Sequence, residues 1–171
     1  MSSMDNKYNQ LIDPLDKENE IIESFRDYGA KSFSKSDNGY DWLDDYAKCV
    51  VITNPYGGAD LEIDVGDMGE FTIYFHTHHT HFDPYQGDYE DMINLIHEII
   101  NNNICAGAIM DREGKQFCSR FVNKEEVDQS PQTIFEFTFG VEEFRKKLTE
   151  NGYTVEFVFW NPANNVTTSN P

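Results

Sequence analysis

The chain has 171 residues, 39% of them hydrophobic and 14% aromatic, and this length and composition predict one folded domain rather than a disordered chain. Its formal net charge is −18, from 31 acidic and 13 basic residues, which excludes ordinary phosphate-directed nucleic-acid binding and disfavours anionic membrane surfaces. No apolar run approaches the roughly 20 residues of a membrane span and the first residues lack a signal-peptide pattern, so we expect a cytoplasmic protein.

The N-terminal half of the chain predicts one helix followed by three strands. Residues 1–12 are polar, and we expect them to be flexible. Asp13 is typical of a helix N-cap, Pro14 suits the first helical position, and Gly29 marks the end of the helix. Residues 31–47 are typical of a loop. Short β-branched or alternating runs then predict strands at 49–52, 61–65 and 71–75, the last two forming a hairpin.

The C-terminal half predicts two more helices and four more strands. Asp88 suits an N-cap, and Met92, Ile96 and Ile99 form an apolar stripe that predicts a helix over about 89–102. The remaining patterns predict strands at 104–110, 116–122, 133–139 and 153–160 and a short helix at 141–150.

Hairpins joined by helices indicate an α+β fold. We expect a single domain over residues 13–160, in which a mostly antiparallel sheet built from hairpins has helices packed on one face. Residues 161–171 are polar and are expected to form a disordered C-terminal tail.

The histidines are concentrated in one acidic region. From Cys49 to Asp111 the chain has 11 acidic residues, all five histidines and no lysine or arginine. Four of the histidines lie in the segment His76-Thr77-His78-His79-Thr80-His81, which Phe82-Asp83 follows. Because the surrounding field is negative, this region favours a protonated imidazole or a bound metal cation.

Two interpretations of the histidine segment remain open. If the strand stays extended past Phe75, His79, His81 and Asp83 share one face, while His76 and His78 share the other. Imidazoles and a carboxylate suit zinc or iron with open coordination positions, so these five side chains are candidate metal ligands. A metal-dependent hydrolase would use a metal-bound water as nucleophile, with Asp88 or Glu90 as base. Alternatively, the histidines pack and hydrogen-bond as a purely structural cluster in a domain of unrelated function.

The acidic residues that follow the histidines form a candidate binding surface. The strong net charge either serves solubility alone or attracts a basic partner protein. In the second case, an acidic and aromatic surface would mimic the anionic substrate of a cationic toxin. We assign this surface to Asp83, Tyr85, Asp88, Tyr89, Glu90 and Asp91 and refer to it as the acidic helix surface.

Two resemblances follow from these motifs. A strand that ends in His76-Thr77-His78 looks like the JAMM-type zinc proteases, but His79, Gln86 and Tyr89 occupy the positions of their proline, serine and aspartate, which removes most of the support for that mechanism. The segment from Leu61 to Val122, centred on His79-Thr80-His81-Phe82-Asp83, more closely resembles small acidic proteins of low-GC Gram-positive bacteria, of the immunity type that neutralises secreted toxins. This resemblance implies an immunity- or antitoxin-like inhibitor and no catalytic residue.

Overall fold

The computed structural model of the protein describes residues 4–129 and 142–170. Within these ranges the chain has two antiparallel sheets, of five and four strands, together with short helices. The predicted α+β class with antiparallel hairpins is therefore confirmed, although the strands divide between two sheets where the sequence predicted one. The backbone contacts divide the chain into two compact units, Met1–Phe75 with His79–His97, and His76–His78 with Glu98–Pro171.

The first sheet has the strand order β1-β2-β3-β4-β5. Its strands are β1 (Lys31–Ser34), β2 (Lys48–Ile52), β3 (Leu61–Val65), β4 (Phe71–Phe75) and β5 (His78–Phe82). Leu61 faces Phe75 and Val65 faces Phe71 across β3 and β4, which confirms the predicted hairpin. β1 lies in the segment predicted as a loop. Its sequence lacks an apolar alternation, and it is ordered by antiparallel pairing with β2.

The first predicted helix is present in divided form. It consists of a 3₁₀ turn at Pro14–Lys17, helix α2 at Glu18–Ser24 and a second 3₁₀ turn at Arg26–Tyr28. The Asp13 carboxylate accepts a hydrogen bond from the Leu15 N–H at 3.0 Å, which confirms the predicted N-cap. Gly29 ends the segment with a φ of 67°, a left-handed conformation that glycine adopts without strain. A short helix, α1 (Met4–Lys7), lies in the segment that the sequence predicted to be flexible.

One face of the first sheet forms a hydrophobic core. Alternate residues of β2, β3 and β4 are fully buried on it: Val50, Ile52, Leu61, Ile63, Val65, Phe71, Ile73 and Phe75. Helix α3 (Gln86–Ile100) begins three residues before the predicted start, and the ring of its buried Tyr89 lies 5.5 Å from the ring of Phe71. Because strand side chains alternate, the opposite face carries the polar residues of β3 and β4.

The second sheet has the strand order β7-β6-β8-β9. Its strands are β6 (Ile104–Asp111), β7 (Gln116–Asn123), β8 (Tyr153–Val158) and β9 (Val166–Asn170). The β6–β7 pairing confirms the second predicted hairpin. Val127 of helix α4 (Lys124–Gln129) and Leu148 of helix α5 (Glu142–Asn151) belong to one buried cluster with Cys105, Ile109 and Phe157.

The C-terminal segment differs from the disordered tail that the sequence predicted. Pro162–Asn164 forms a 3₁₀ turn capped by the Asn161 side chain, and β9 pairs with β8. Val166 packs against the buried cluster of this unit, so pairing and burial together order the segment. The predicted strand at 133–139 lies outside the described residues. In the part of the chain that is described, no helix is long and apolar enough to cross a membrane.

Candidate functional site

The histidine segment forms a tight hairpin rather than one continuous strand. The strand does not stay extended past Phe75, because β4 ends there and the chain turns at His76 and Thr77 before β5 begins. His76 has a φ of 53° and its side chain is exposed. This left-handed conformation is uncommon for a residue other than glycine, and it makes the two-residue reversal possible.

His79 and His81 lie on the polar face of the first sheet. Side chains from alternate positions of β3, β4 and β5 form a surface that we call the polar face: Glu62, Asp64, Thr72, Tyr74, His79 and His81. Across β3 and β4, Asp64 is directly opposite Thr72 and Glu62 is directly opposite Tyr74. Thr72 contacts His81, and the Tyr74 ring stacks on the ring of His79 with centroids 5.5 Å apart. Two rows of side chains therefore run across the face.

The predicted pairing of His79 and His81 on one face is present. Their ring centroids are 5.2 Å apart, and the rings meet edge to face. His81 Nδ1 lies 2.6 Å from Glu70 Oε1 and 3.0 Å from Thr72 Oγ1. Because an ionised carboxylate only accepts hydrogen bonds, His81 donates its Nδ1–H to Glu70 and retains Nε2 for another ligand.

His78 belongs to a separate hydrogen-bonded group with β7. Its Nδ1 lies 3.0 Å from Ser119 Oγ, and its ring meets the Phe121 ring edge to face at 4.7 Å. The Ser119 hydroxyl donates to the Thr77 carbonyl oxygen at 3.0 Å. Because that bond uses the only hydroxyl proton of Ser119, His78 must donate its Nδ1–H to Ser119 Oγ. This arrangement gives His78 a structural role in the second unit.

The five predicted metal ligands are not brought together as one set. Among the described residues, no three His, Cys, Asp or Glu side chains are arranged to hold a metal ion. His79 and His81 are neighbours, but His76 lies in the turn, His78 bonds to Ser119, and Asp83 is exposed beyond the end of β5. The geometry thus gives an imidazole pair in which one ring is already bonded to a carboxylate.

The N-terminal segment occupies much of the acidic helix surface. Lys7 Nζ forms an ion pair with Glu90 at 2.8 Å, and the Tyr8 hydroxyl donates to Asp91 at 3.0 Å. The Lys7 ammonium and a hydrogen bond from Gln86 lower the pKa of Glu90. Two of the carboxylates in this surface are therefore already paired within the chain.

The aromatic members of the acidic helix surface are also engaged. Tyr89 is only 2% exposed, so it belongs to the core and not to an aromatic rim. Burial raises the pKa of its hydroxyl group. Tyr85 is half-buried and forms an isolated antiparallel bridge with Leu11. Asp83 is exposed and Asp88 is half-buried.

A second group of acids, not identified from the sequence, lies at the edge of the polar face. We call it the carboxylate cluster, and its members are Asp44, Asp64, Asp67 and Glu70. Asp64 is on β3, Asp67 and Glu70 come from the turn between β3 and β4, and Asp44 comes from the segment before β2. The charges of Asp67, Asp44 and Glu70 all act on Asp64, and the Asp67 carboxyl shares a hydrogen bond with that of Asp44.

Asp64 is buried although its strand position predicts a solvent-facing side chain. It is only 2% exposed, and its direct neighbour on β2, Cys49, forms a buried cluster with Leu43 and Ala47. Burial, followed by the charge of Asp67, raises the pKa of Asp64 to about 6. Its Oδ1 atom has no contact with solvent and no hydrogen-bond partner within the described residues. The Asp64 carboxylate does accept a hydrogen bond from the Asp67 N–H, but no lysine or arginine of the described residues pairs with it, so at neutral pH it is a buried charge without a cationic partner.

Aromatic side chains border the carboxylate cluster. Trp42 is 48% exposed and meets Tyr74 edge to face, with ring centroids 6.4 Å apart. Burial and then the charges of Asp64 and Asp67 raise the pKa of Tyr74. The site therefore combines negative charge with π faces, two features that both attract cations.

The sequence did contain signals for this site. Glu62 and Asp64 alternate on β3, and the turn that follows adds Asp67 and Glu70, so one sheet face acquires several acids. The contribution of Asp44 follows only from the way in which the preceding segment folds over β2.

Comparison of the chain with protein-family models, with curated proteins and with solved structures found no match.

Proposed function

We propose that this protein is an acidic binding protein, an immunity- or antitoxin-like inhibitor of a basic partner protein. The observation that carries the proposal is the carboxylate cluster on a chain of net charge −18. No lysine or arginine among the described residues forms an ion pair with Asp44, Asp64, Asp67 or Glu70. Negative charge without internal compensation speeds encounter with a cationic partner and selects against acidic ones.

The internal contacts favour the polar face over the acidic helix surface as the region that meets the partner. Glu90 and Asp91 are already bonded to Lys7 and Tyr8, and a basic partner would have to displace those contacts. In the carboxylate cluster Glu70 is bonded to His81, but a partner that binds Asp44, Asp64 and Asp67 would displace no lysine or arginine of the described residues. Asp83 and Asp88 would then add to the long-range field that attracts the partner.

The metal-dependent hydrolase remains a prediction without a supporting observation in the described part of the chain. His79 and His81 are adjacent, but two imidazoles alone do not complete the three-ligand set of a catalytic zinc site. We therefore do not propose it as a second function.

The test is to isolate the partner and measure how salt affects its binding. The immobilised protein is exposed at about 50 mM salt to lysate and culture medium of the source cells, and retained basic proteins are purified for calorimetric titration. We expect a 1:1 complex whose affinity falls at least tenfold between about 50 and 500 mM salt, because screening weakens exposed charge pairs.

A growth assay then tests inhibition. Expression of the captured protein alone should stop growth, and co-expression of this chain should restore it. Affinity that is indifferent to salt, or a captured protein whose toxicity is not relieved, would contradict the proposal.

A further inference from the structure

The carboxylate cluster differs from an ordinary acidic surface in one buried group. Acidic side chains on a surface are normally solvated, and their charges have no need of a partner. Asp64 is only 2% exposed, and its Oδ1 atom lacks both solvent and a hydrogen-bond donor in the described structure. The Asp64 carboxylate accepts a hydrogen bond from the Asp67 N–H, but a buried carboxylate oxygen without a donor is still costly, and a cation bound next to it would offset that cost.

The neighbouring acids supply the oxygen atoms that a ligand would contact. Asp67 is half-buried and Asp44 is exposed, so both of their carboxyl groups reach solvent. These two carboxyls lie within hydrogen-bond distance of each other, which is an unfavourable arrangement while both are ionised. A group with several N–H donors would bridge them and would also neutralise the charge of Asp64 beneath.

The aromatic border favours one kind of cation. Trp42 and Tyr74 present ring surfaces beside the cluster, and Trp42 is about half exposed. A guanidinium group is planar, stacks on aromatic rings and is less strongly hydrated than an ammonium group. It also carries five donors in a fixed fork that matches paired carboxylates.

We infer that the carboxylate cluster, with Trp42 and Tyr74 beside it, is the binding site for an arginine side chain of the basic partner. Asp44 and Asp67 accept the guanidinium hydrogen bonds, Asp64 contributes charge from below, and Trp42 stacks on the guanidinium plane. The inference rests on the proposed function and specifies how the partner is recognised.

The test uses blocked tripeptides as probes. Acetyl-Gly-Arg-Gly-amide is titrated into the ¹⁵N-labelled full chain, and amide chemical shifts give both the location and the affinity of binding. Citrulline in place of arginine keeps the shape and removes the charge. We expect shifts in the polar face and in residues 40–47 with the arginine peptide, weaker binding of the lysine peptide and no binding of the citrulline peptide. Equal binding of all three peptides, or shifts confined to residues 83–91, would overturn the inference.

Matched variants separate the site from the overall charge. Asp67→Asn should weaken arginine-peptide binding about tenfold, the usual effect of removing a charged hydrogen-bonding partner. Asp64→Asn should also weaken it, because the variant removes the buried charge beside the site. Asp27→Asn removes the same charge from an exposed position outside the sites described and should leave the affinity unchanged. An equal loss in Asp27→Asn would show that only net charge matters.

A second pair of variants tests the aromatic border. Trp42→Leu should weaken binding about twofold to fivefold, as expected for a cation–π contact at an exposed site. Tyr46→Leu is the control, because Tyr46 is another exposed aromatic residue in the same segment. Unchanged binding in Trp42→Leu would overturn its stacking role, and this test does not depend on how the Asp64 variant folds.

The two proposals can fail independently. A salt-sensitive basic partner that binds Asp64→Asn and Asp67→Asn as tightly as the unaltered chain would overturn the arginine site and leave the proposed function standing. Arginine-peptide binding at the polar face, without any basic protein partner, would support the arginine site and contradict the proposed function.

Discussion

Replacement of Asp64 by asparagine should stabilise the protein at neutral pH. The folded-state pKa of Asp64 is about 6, whereas its ordinary value is 3.8, so the folded protein binds this proton more tightly than the unfolded chain. The stabilisation by the protonated group is therefore complete below about pH 4 and is lost as the pH rises through about 6. A separation of about two pH units corresponds to about 3 kcal/mol in the free energy of unfolding.

The assay is urea unfolding of the native chain and the Asp64→Asn variant between pH 3 and pH 8. The asparagine side chain has no proton to lose. The free energy of unfolding of the variant, relative to that of the native chain, should therefore rise by about 3 kcal/mol across this pH range. Any fixed effect of the amide on packing is the same at each pH, and the change with pH isolates the charge. The pKa values of Glu62 and Asp67 are also raised, so these two groups change the stability of both proteins in the same direction. The difference in free energy of unfolding between the two proteins is therefore more informative than either pH curve alone.

Asp45 provides a control of opposite sign. A hydrogen bond and the charge of Lys35 lower the pKa of Asp45, so its stabilising contribution is present at neutral pH and lost as the pH falls. Asp45→Asn should therefore lose stability relative to the native chain as the pH rises. A stability difference for Asp64→Asn that does not change with pH would refute the claim that this carboxylate is a buried charge without a cationic partner.

Substitutions at three further positions test local features of the first unit. Gly66→Ala should lower the free energy of unfolding by about 1–3 kcal/mol in urea, because Gly66 has a φ of 91° and an added Cβ would lie 3.2 Å from Leu15 Cγ. Asp13→Ala should lower the free energy of unfolding by about 1 kcal/mol in the same assay, because the N-cap is lost, whereas Asp13→Asn should retain most of the stabilisation that the N-cap provides. Gly87→Ala would place a Cβ 2.4 Å from the Tyr8 ring, so limited proteolysis should cut the displaced N-terminal segment faster. Unchanged cleavage would show that Tyr8 moves aside without releasing the segment.

Local sequence patterns predicted the helices and strands whose structure is determined by nearby residues. Alternation in 61–65 and 71–75 identified the hairpin of β3 and β4, and Asp13 with Pro14 identified a helix start. The pattern also placed His79 and His81 on one face, because alternation within β5 does not depend on where the strand begins.

The misplaced residues are those whose surroundings come from distant parts of the chain. The alternation of β3 predicts an exposed side chain at Asp64, yet its neighbour Cys49 lies in a buried cluster with Leu43 and Ala47. The turn at His76 lacks the glycine or asparagine that usually marks such a reversal.

Tyr89 is a different case, because a local signal was present. It lies three residues before Met92 and seven before Ile96, on the apolar stripe that predicted helix α3. Its burial therefore followed from helical spacing, whereas the prediction of an aromatic rim gave priority to the adjacent acids.

The buried charge of Asp64 connects stability with binding. Folded chains tend to satisfy local rules throughout, and the places that violate them concentrate at functional sites. If the carboxylate cluster were only structural, Asp64→Asn would stabilise the protein and leave arginine-peptide affinity unchanged. If the cluster is completed by a guanidinium from the partner, the same substitution raises stability and lowers affinity. A general loss of charge would not give these opposite effects, because Asp27→Asn removes an equal charge from an exposed position and changes no buried group.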